Sequence, residues 1–413
     1  MENRKRIVLQ PTYMKSFKCI GSSCEDSCCI GWRVDLDKET YLKYKNTKNT
    51  ELTPFFDKMV NRKHNQKSDE SYGKIKMEFN GRCPFLDEEM LCTIQREYGE
   101  EYLSDTCALY PRILRKIDGK YERSATISCP EIARLALLNP EGLVFEHIEE
   151  DKNIRIKLHN NFDTEGHLFL HKPERYFWDI RIFSISLLQN RNYDIGERLI
   201  ILGIVYKRIE SLYREKRIRE LPEMLEIMNK MIESGDLKQE LVKINGNTQI
   251  QMRLAKEMTD EKILQGITSQ RYIECFKETL LGLGYIEGEK IENILSRYEE
   301  NYKEYLMPYL KEKEYILENY LVNEYFKEMM PFGSYQTIWD SYMFLCILYG
   351  MLKFHMIGMS GYYKGLNDDI TVKIIQSLSN VVIHSPSYIQ GIIKLLKKNG
   401  YDGLAHMAIM VTN

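Results

Sequence analysis

The sequence predicts a mainly α-helical α+β fold, with a small cysteine-rich metal-binding part with short strands over residues 1–150 and a larger helical part over residues 151–413. Three observations lead there. Eight of the ten cysteines crowd into one stretch, at Cys19, Cys24, Cys28, Cys29, Cys83, Cys92, Cys107 and Cys129. Around them the apolar residues alternate or fall in short runs broken by turn residues, the pattern of brief strands. Past about residue 165 they recur every third or fourth position, the spacing of helices with a buried stripe.

The composition, 43% hydrophobic and 29% charged, is that of a soluble globular protein, and 413 residues suffice for two or three domains. A net charge of −2 offers no basic field to a polyanion, and no basic stripe carries interleaved aromatics, so nucleic acid is not an expected partner. The opening MENRKRIVLQPTYMKSF lacks the apolar core of a secretory signal. We therefore expect a cytoplasmic protein with no membrane partner.

In a reducing compartment disulfides are rare, and grouped thiols bind metal or do redox chemistry. The Cys28–Cys29 pair points the same way: neighbouring Cα atoms lie ~3.8 Å apart, short of the ~4.4 Å of ordinary disulfide geometry. All eight cysteines are candidate metal ligands. A helical Cys24–Cys28 stretch would put those two sulfurs on one face, with Cys19 and Cys29 arriving from the loop and the next turn. In GRCPFLDEEMLCTIQ, Pro84 bends the chain and Asp87-Glu88-Glu89 reads as a turn between two short strands, which brings Cys83 near Cys92. Cys107 and Cys129 each precede a proline that can hold a loop.

Taken in order, Tyr13 and Phe17 should anchor the lead on the first metal loop. Val34 and Leu36 suggest an extended piece entering a helix capped by Asp37. Residues 47–73 read as polar loop, then Ile75, Met77 and Phe79 alternate as in a half-buried strand. A helix through Ile132 and Leu135 stops at Asn139-Pro140, and Leu143 to Ile148 reads as another strand. Pro173 opens a buried helix. Apolar residues then repeat at helical spacing from Leu202 to Leu212, Leu221 to Met231 with Gly235 as C-cap, Tyr272 to Leu283, Ile291 to Tyr305, Tyr309 to Met330, Asp369 to Val382 and Ser387 to Lys397. SYMFLCILYGMLKFHMIGM is long and apolar enough to suggest a membrane span. Its glycines, Lys353 and His355 favour the central helix of a bundle.

FKCIGSSCEDSCCIGW, CPFLDEEMLCTIQ, LSDTCALYPR and SCPEIARLAL together resemble the flagellin lysine-N-methylase family, whose cysteine-rich part is similar to a wider class of iron- or zinc-chelating domains. PERYFWDIRIFSISLLQNRNYDIGERLIILG and KFHMIGMSGYYKGL extend the resemblance over nearly the whole chain. It implies transfer of a methyl group from S-adenosylmethionine to surface lysines of flagellin, by an enzyme carrying an iron–sulfur cluster on these cysteines. A [4Fe-4S] cluster needs four thiolates. Eight allow one cluster with four spare thiols, a cluster plus a structural zinc, or two clusters; we expect one cluster. Zinc is the alternative metal, since soft ligands suit both. The competing function is a non-catalytic metal-binding sensor or a flagellin-binding adaptor.

Two familiar signatures are absent. Cys24 and Cys28 supply the first gap of a radical S-adenosylmethionine motif, but Gly31 stands where its third thiol belongs. No G-x-G-x-x-G-like run follows a predicted strand. The methyl-donor pocket and the catalytic residues are thus not legible. Trp32 and Tyr110 offer aromatic faces for a sulfonium cation, and Glu25, Asp26 and Glu131 are the carboxylates nearest the thiols. Arg112 reads as a salt-bridge residue, with a cosubstrate carboxylate as its alternative partner. His355, Cys275 and Cys346 read as core residues, His384 as a helix-end residue, and His147 as a ligand only if its strand reaches the cysteines.

Overall fold

A computed structural model describes residues 5–31, 33–63, 68–242, 244 and 246–412. Among the described residues eight strands build two sheets: β1 (Lys5–Pro11), β2 (Asp35–Leu36), β3 (Val60–Arg62), β4 (Gly73–Ile75), β5 (Arg112–Ile117), β6 (Lys120–Ala125), β7 (Phe145–Asp151) and β8 (Leu158–Phe162). The larger sheet has the order β7-β1-β6-β5-β8 and the smaller β2-β4-β3. β5 and β6 form a hairpin whose two-residue connection, Asp118-Gly119, has both residues at positive φ (48° and 77°). That is the turn whose twist suits paired strands. The Asp118 carboxylate then accepts hydrogen bonds from the Thr164 backbone and from Trp178 Nε1, both at 2.7 Å, tying the hairpin tip to the following helices.

The helical part is organised around one helix, Ile338–Tyr363. Every residue of its most apolar stretch is buried against other helices, so what passes for a membrane span by length and hydropathy forms the core of a bundle. Its tightest neighbour is Gln270–Leu283, and the two backbones approach through glycines: a Cβ on Gly282 would lie 1.9 Å from the Gly358 carbonyl oxygen. Helices Ile195–Arg214, Thr248–Leu264 and Leu404–Val411 pack around the same axis. Lys353, Cys346 and His355 are all interior, as is Cys275, which accepts from Ser377 Oγ at 3.4 Å.

Many expected elements form. Asp37 caps helix Lys38–Asn46 by accepting from the Thr40 amide at 2.8 Å. Helix Pro130–Leu137 ends ahead of Asn139-Pro140, and Gly235 closes Leu221–Ser234 in the left-handed conformation. Helices Thr248–Leu264 and Leu404–Val411 lie where no helix was expected.

Other expectations fail for local reasons. The strand through Ile75, Met77 and Phe79 stops at Ile75, because residues 78–82 fold into a tight turn. In it the Glu78 amide donates to Arg82 O and Gly81 takes a φ of 80°. Phe79 is left fully exposed. Within residues 47–73, helix Thr53–Met59 and β3 form instead of loop. The Cys24–Cys28 stretch is not helical but a run of bends and turns, and the two strands expected around Asp87 shrink to one bridge between Leu86 and Cys92.

Candidate metal centre

The cysteine-bearing loops close around a cavity of about 310 Å³ lined by all eight cysteines, with Phe17, Tyr44, Tyr110, Arg112, Asp26 and Glu131 among the other wall residues. Each segment reaches the wall by its own anchor. The Cys83 amide donates to Cys29 O at 2.9 Å, placing the first cysteine loop against the second. Asp87 then turns the chain: its Oδ1 accepts from the Glu89 and Leu91 amides, both at 2.9 Å, which returns Cys92 to the cavity. Cys107 rides on the short helix Asp105–Leu109, whose Thr106 hydroxyl donates to Asp35 O at 3.1 Å. Cys129 is the N-cap of helix Pro130–Leu137.

The loop carrying Cys19, Cys24 and Cys28 is fixed by acidic side chains to distant helices. Asp26 accepts from Gln376 Nε2 at 2.7 Å and Asn380 Nδ2 at 3.0 Å, both on helix Asp368–Ile383. Glu25 pairs with Arg134 at 2.5 Å and Arg271 at 3.7 Å. Glu131 also pairs with Arg134, at 3.1 Å. The three carboxylates expected near the thiols are therefore present: Glu25 and Asp26 cross-link segments, while Glu131 pairs within its own helix.

None of the ten cysteines forms a disulfide. Burial pushes Cys83 and Cys107 up to about 12 and Cys129 up to about 11. It raises Cys24 and Cys92 as well. A hydrogen bond between the adjacent Cys28 and Cys29 side chains raises the donor Cys28 and lowers the acceptor Cys29. Each buried thiol is also raised by the thiolates nearest it. For Cys83 these are Cys29, Cys107 and Cys92; for Cys129 they are Cys24 and Cys19.

Among the described residues no three Cys, His, Asp or Glu side chains crowd one point closely enough to grip a single ion. The thiols stand around a space. Their chemistry nevertheless fits the iron–sulfur or zinc centre that the family resemblance implies: soft sulfur donors, mostly withdrawn from water, with the neighbouring carboxylates already engaged. Loading such a centre must expel thiol protons.

The remaining site residues fall unevenly. Phe17 lines the cavity, whereas Tyr13 is anchored in the helical part, its hydroxyl 2.6 Å from Asn323 Oδ1. Arg112 joins no salt bridge among the described residues and lies over the Phe17 ring at 5.2 Å, on the cavity wall. His147 sits on β7 opposite Leu9, away from the cysteines. Trp32 lies outside the described residues.

One feature was not legible beforehand. Ser128, next to Cys129, bonds His384 Nε2 at 2.8 Å and Tyr110 Oη at 3.1 Å, so the end of helix Asp368–Ile383 meets the cavity wall. Burial lowers His384 to about 4 and raises Tyr110. The only local signal was Ser128 beside a cysteine; its partner lies 256 residues further on.

The profile of the FliB lysine N-methylase C-terminal domain matches residues 181–410. Two proteins named lysine-N-methylase, from Salmonella typhimurium and Salmonella choleraesuis, are each 26% identical over 333 residues, covering 78% of this chain and 79% of the relative. That share is too large for the helical part alone, so the similarity reaches into the cysteine-rich part. The flagellar biosynthetic protein FliU of Salmonella muenchen is 35% identical over 138 residues, 33% of this chain and 80% of the relative. No solved structure matches significantly. With more than half its length matched by the family's own profile, the chain belongs to the FliB lysine N-methylase family.

Proposed function

We propose that the protein methylates surface lysines of flagellin in the cytoplasm, taking the methyl group from S-adenosylmethionine and holding an iron–sulfur centre, a [4Fe-4S] cluster, on its N-terminal cysteines. The observation that carries this reading is family membership across more than half the chain, with Salmonella relatives named for lysine methylation and flagellar biosynthesis. Eight thiols on one cavity wall, none of them in a disulfide, support the metal part.

The chemistry sets the demands. A free lysine has a pKa near ~10.4 and is almost wholly charged at neutral pH, while only the neutral amine attacks a methyl group. The protein must strip water from that amine or place a proton acceptor beside it, and must align nitrogen with the methyl carbon. Tyr110 on the cavity wall presents an aromatic face to a sulfonium cation. Arg112, free of ion pairs among the described residues, offers a planar donor pair to the methyl donor's carboxylate. Its stacking on Phe17 holds that donor pair in place. An iron–sulfur centre, when bound, would supply redox-active iron; the cysteines would hold it, with Tyr44 and Phe17 among its walls.

The test is incubation of anaerobically purified protein with methyl-labelled S-adenosylmethionine and flagellin, with peptide mapping of the label. Methyl-lysine on flagellin is expected. A metal-loaded protein that leaves flagellin lysines unlabelled defeats the reading in favour of a metal-binding sensor or adaptor. Iron, sulfide and zinc analysis of the same sample decides between a cluster and zinc.

A further inference from the structure

We propose that the eight cysteines form two four-thiol metal centres: an inner one of Cys29, Cys83, Cys92 and Cys107, and an outer one of Cys19, Cys24, Cys28 and Cys129, adjoining through the Cys28–Cys29 pair. The inference rests on the reading that this cavity binds thiolate-held metal, and it departs from the expectation of one cluster with four spare thiols.

Packing makes the division. Cys83 lies inside a small apolar core with Val34, Leu36, Phe56 and Phe85, and Cys29, Cys92 and Cys107 pack against that core. Cys129 belongs to a different core, the large one shared with the helical part. Cys19, Cys24 and Cys28 lie on the loop that Asp26 and Glu25 fasten to the helical part, at the same seam. Backbone bonds reinforce the inner set, Cys83 to Cys29 directly and Cys92 through its bridge to Leu86.

Four thiolates complete one [4Fe-4S] cluster. Two such sets use every thiol on the cavity wall. The sets also differ in access: the outer one includes the exposed Cys19 and Cys28, while no cysteine of the inner one is exposed. The inner centre therefore staples the cysteine-rich part, and the outer one faces the seam beside Ser128 and His384.

The test measures iron, zinc and acid-labile sulfide per chain, with absorption and Mössbauer spectra, on the full chain isolated anaerobically. It compares the unaltered protein with Cys19→Ala/Cys24→Ala and with Cys92→Ala/Cys107→Ala. Each double variant should lose one centre, about half the bound metal, and keep the other's spectrum. Loss of all metal from one variant and none from the other overturns the proposal in favour of a single centre. If the inner variant fails to fold, the outer variant decides alone: half the metal retained supports two centres, and all or none retained refutes them. Because the readout is metal content, two loaded centres without methyl transfer would sink the methylase reading and leave this one standing. A chain that binds no metal would end the metal-site reading itself.

Discussion

Acid should destabilise this protein partly through His355, and replacing that residue by phenylalanine should remove the effect. The imidazole is wholly buried on helix Ile338–Tyr363 among Tyr272, Phe276 and Phe354. Its Nδ1 lies 2.8 Å from Met351 O, the carbonyl one turn back, and Nε2 has no hydrogen-bond partner among the described residues. With no group to receive a second proton's charge, burial lowers it from 6.5 to about 4. The folded value lies below the unfolded one, so between those limits the unfolded chain binds the extra proton and the folded chain does not. Stability is thus intact above the unfolded pKa and falls as pH drops, the loss being complete below about 4. From the unfolded value to pH 5 is ~1.5 units, and at ~1.4 kcal/mol per unit the wild type loses ~2 kcal/mol that His355→Phe keeps. The exchange is mild at neutral pH, because Met351 O retains its helical backbone partner and a ring replaces a ring. Urea unfolding of both proteins at pH 7 and pH 5, followed by circular dichroism, measures the difference. His384, lowered like His355, titrates in both proteins and cancels. If wild type and variant lose stability equally, to within ~0.5 kcal/mol, the buried-neutral account of His355 is wrong.

Three further outcomes follow from the packing. Asp26→Ala removes a charged acceptor from Gln376 and Asn380; at ~1.5–3 kcal/mol for each bond to a charged group, less what water returns, the cysteine loop should open ~2 kcal/mol more easily. Hydrogen exchange at Cys24 and Ile30 should quicken by about thirty-fold while the core helix is unchanged, and unaltered exchange there would refute the anchor. Glu318→Gln turns the 2.8 Å carboxylate partner of the buried Arg198 into a neutral amide, leaving Glu314 at 3.1 Å as its remaining carboxylate, and strips the charge that also holds Arg191; a loss of ~1–3 kcal/mol in urea unfolding is expected, and one under ~0.5 kcal/mol would contradict it. Gly282→Ala forces a methyl into the Gly358 carbonyl and should cost ~1–3 kcal/mol or more in thermal unfolding. Gly391→Ala, with open space at the same atom on helix Pro386–Lys398, should be neutral or stabilising by up to ~1 kcal/mol. Equal melting temperatures for the two alanine variants would discredit the close-approach argument.

The elements that sequence reading recovered are those whose cause lies within a few residues. Asp37 caps a helix because its acceptor and the Thr40 amide are three positions apart. Gly235 ends one because only it adopts the left-handed turn cheaply. Reading failed where a local pattern was met by a distant competitor or cut by a local turn. Alternation continues past Ile75, but the turn at 78–82 claims those backbone groups first. The Asp118-Gly119 dipeptide is by itself a hairpin signal, since both residues take a positive φ.

By itself the sequence determined that eight thiols crowd into the first third of the chain, that a helical body follows, and which family the motifs resemble. These rest on composition and short-range periodicity, which survive any later arrangement of the chain. Only the tertiary structure decided that the Cys24–Cys28 loop is held by residues 376 and 380, that Ser128 meets His384, and that Cys83 and Cys129 pack into different cores. The reason is physical: a side chain's type says what partner it needs, while which partner it gets is set by loop closure and by the burial of surfaces hundreds of residues apart.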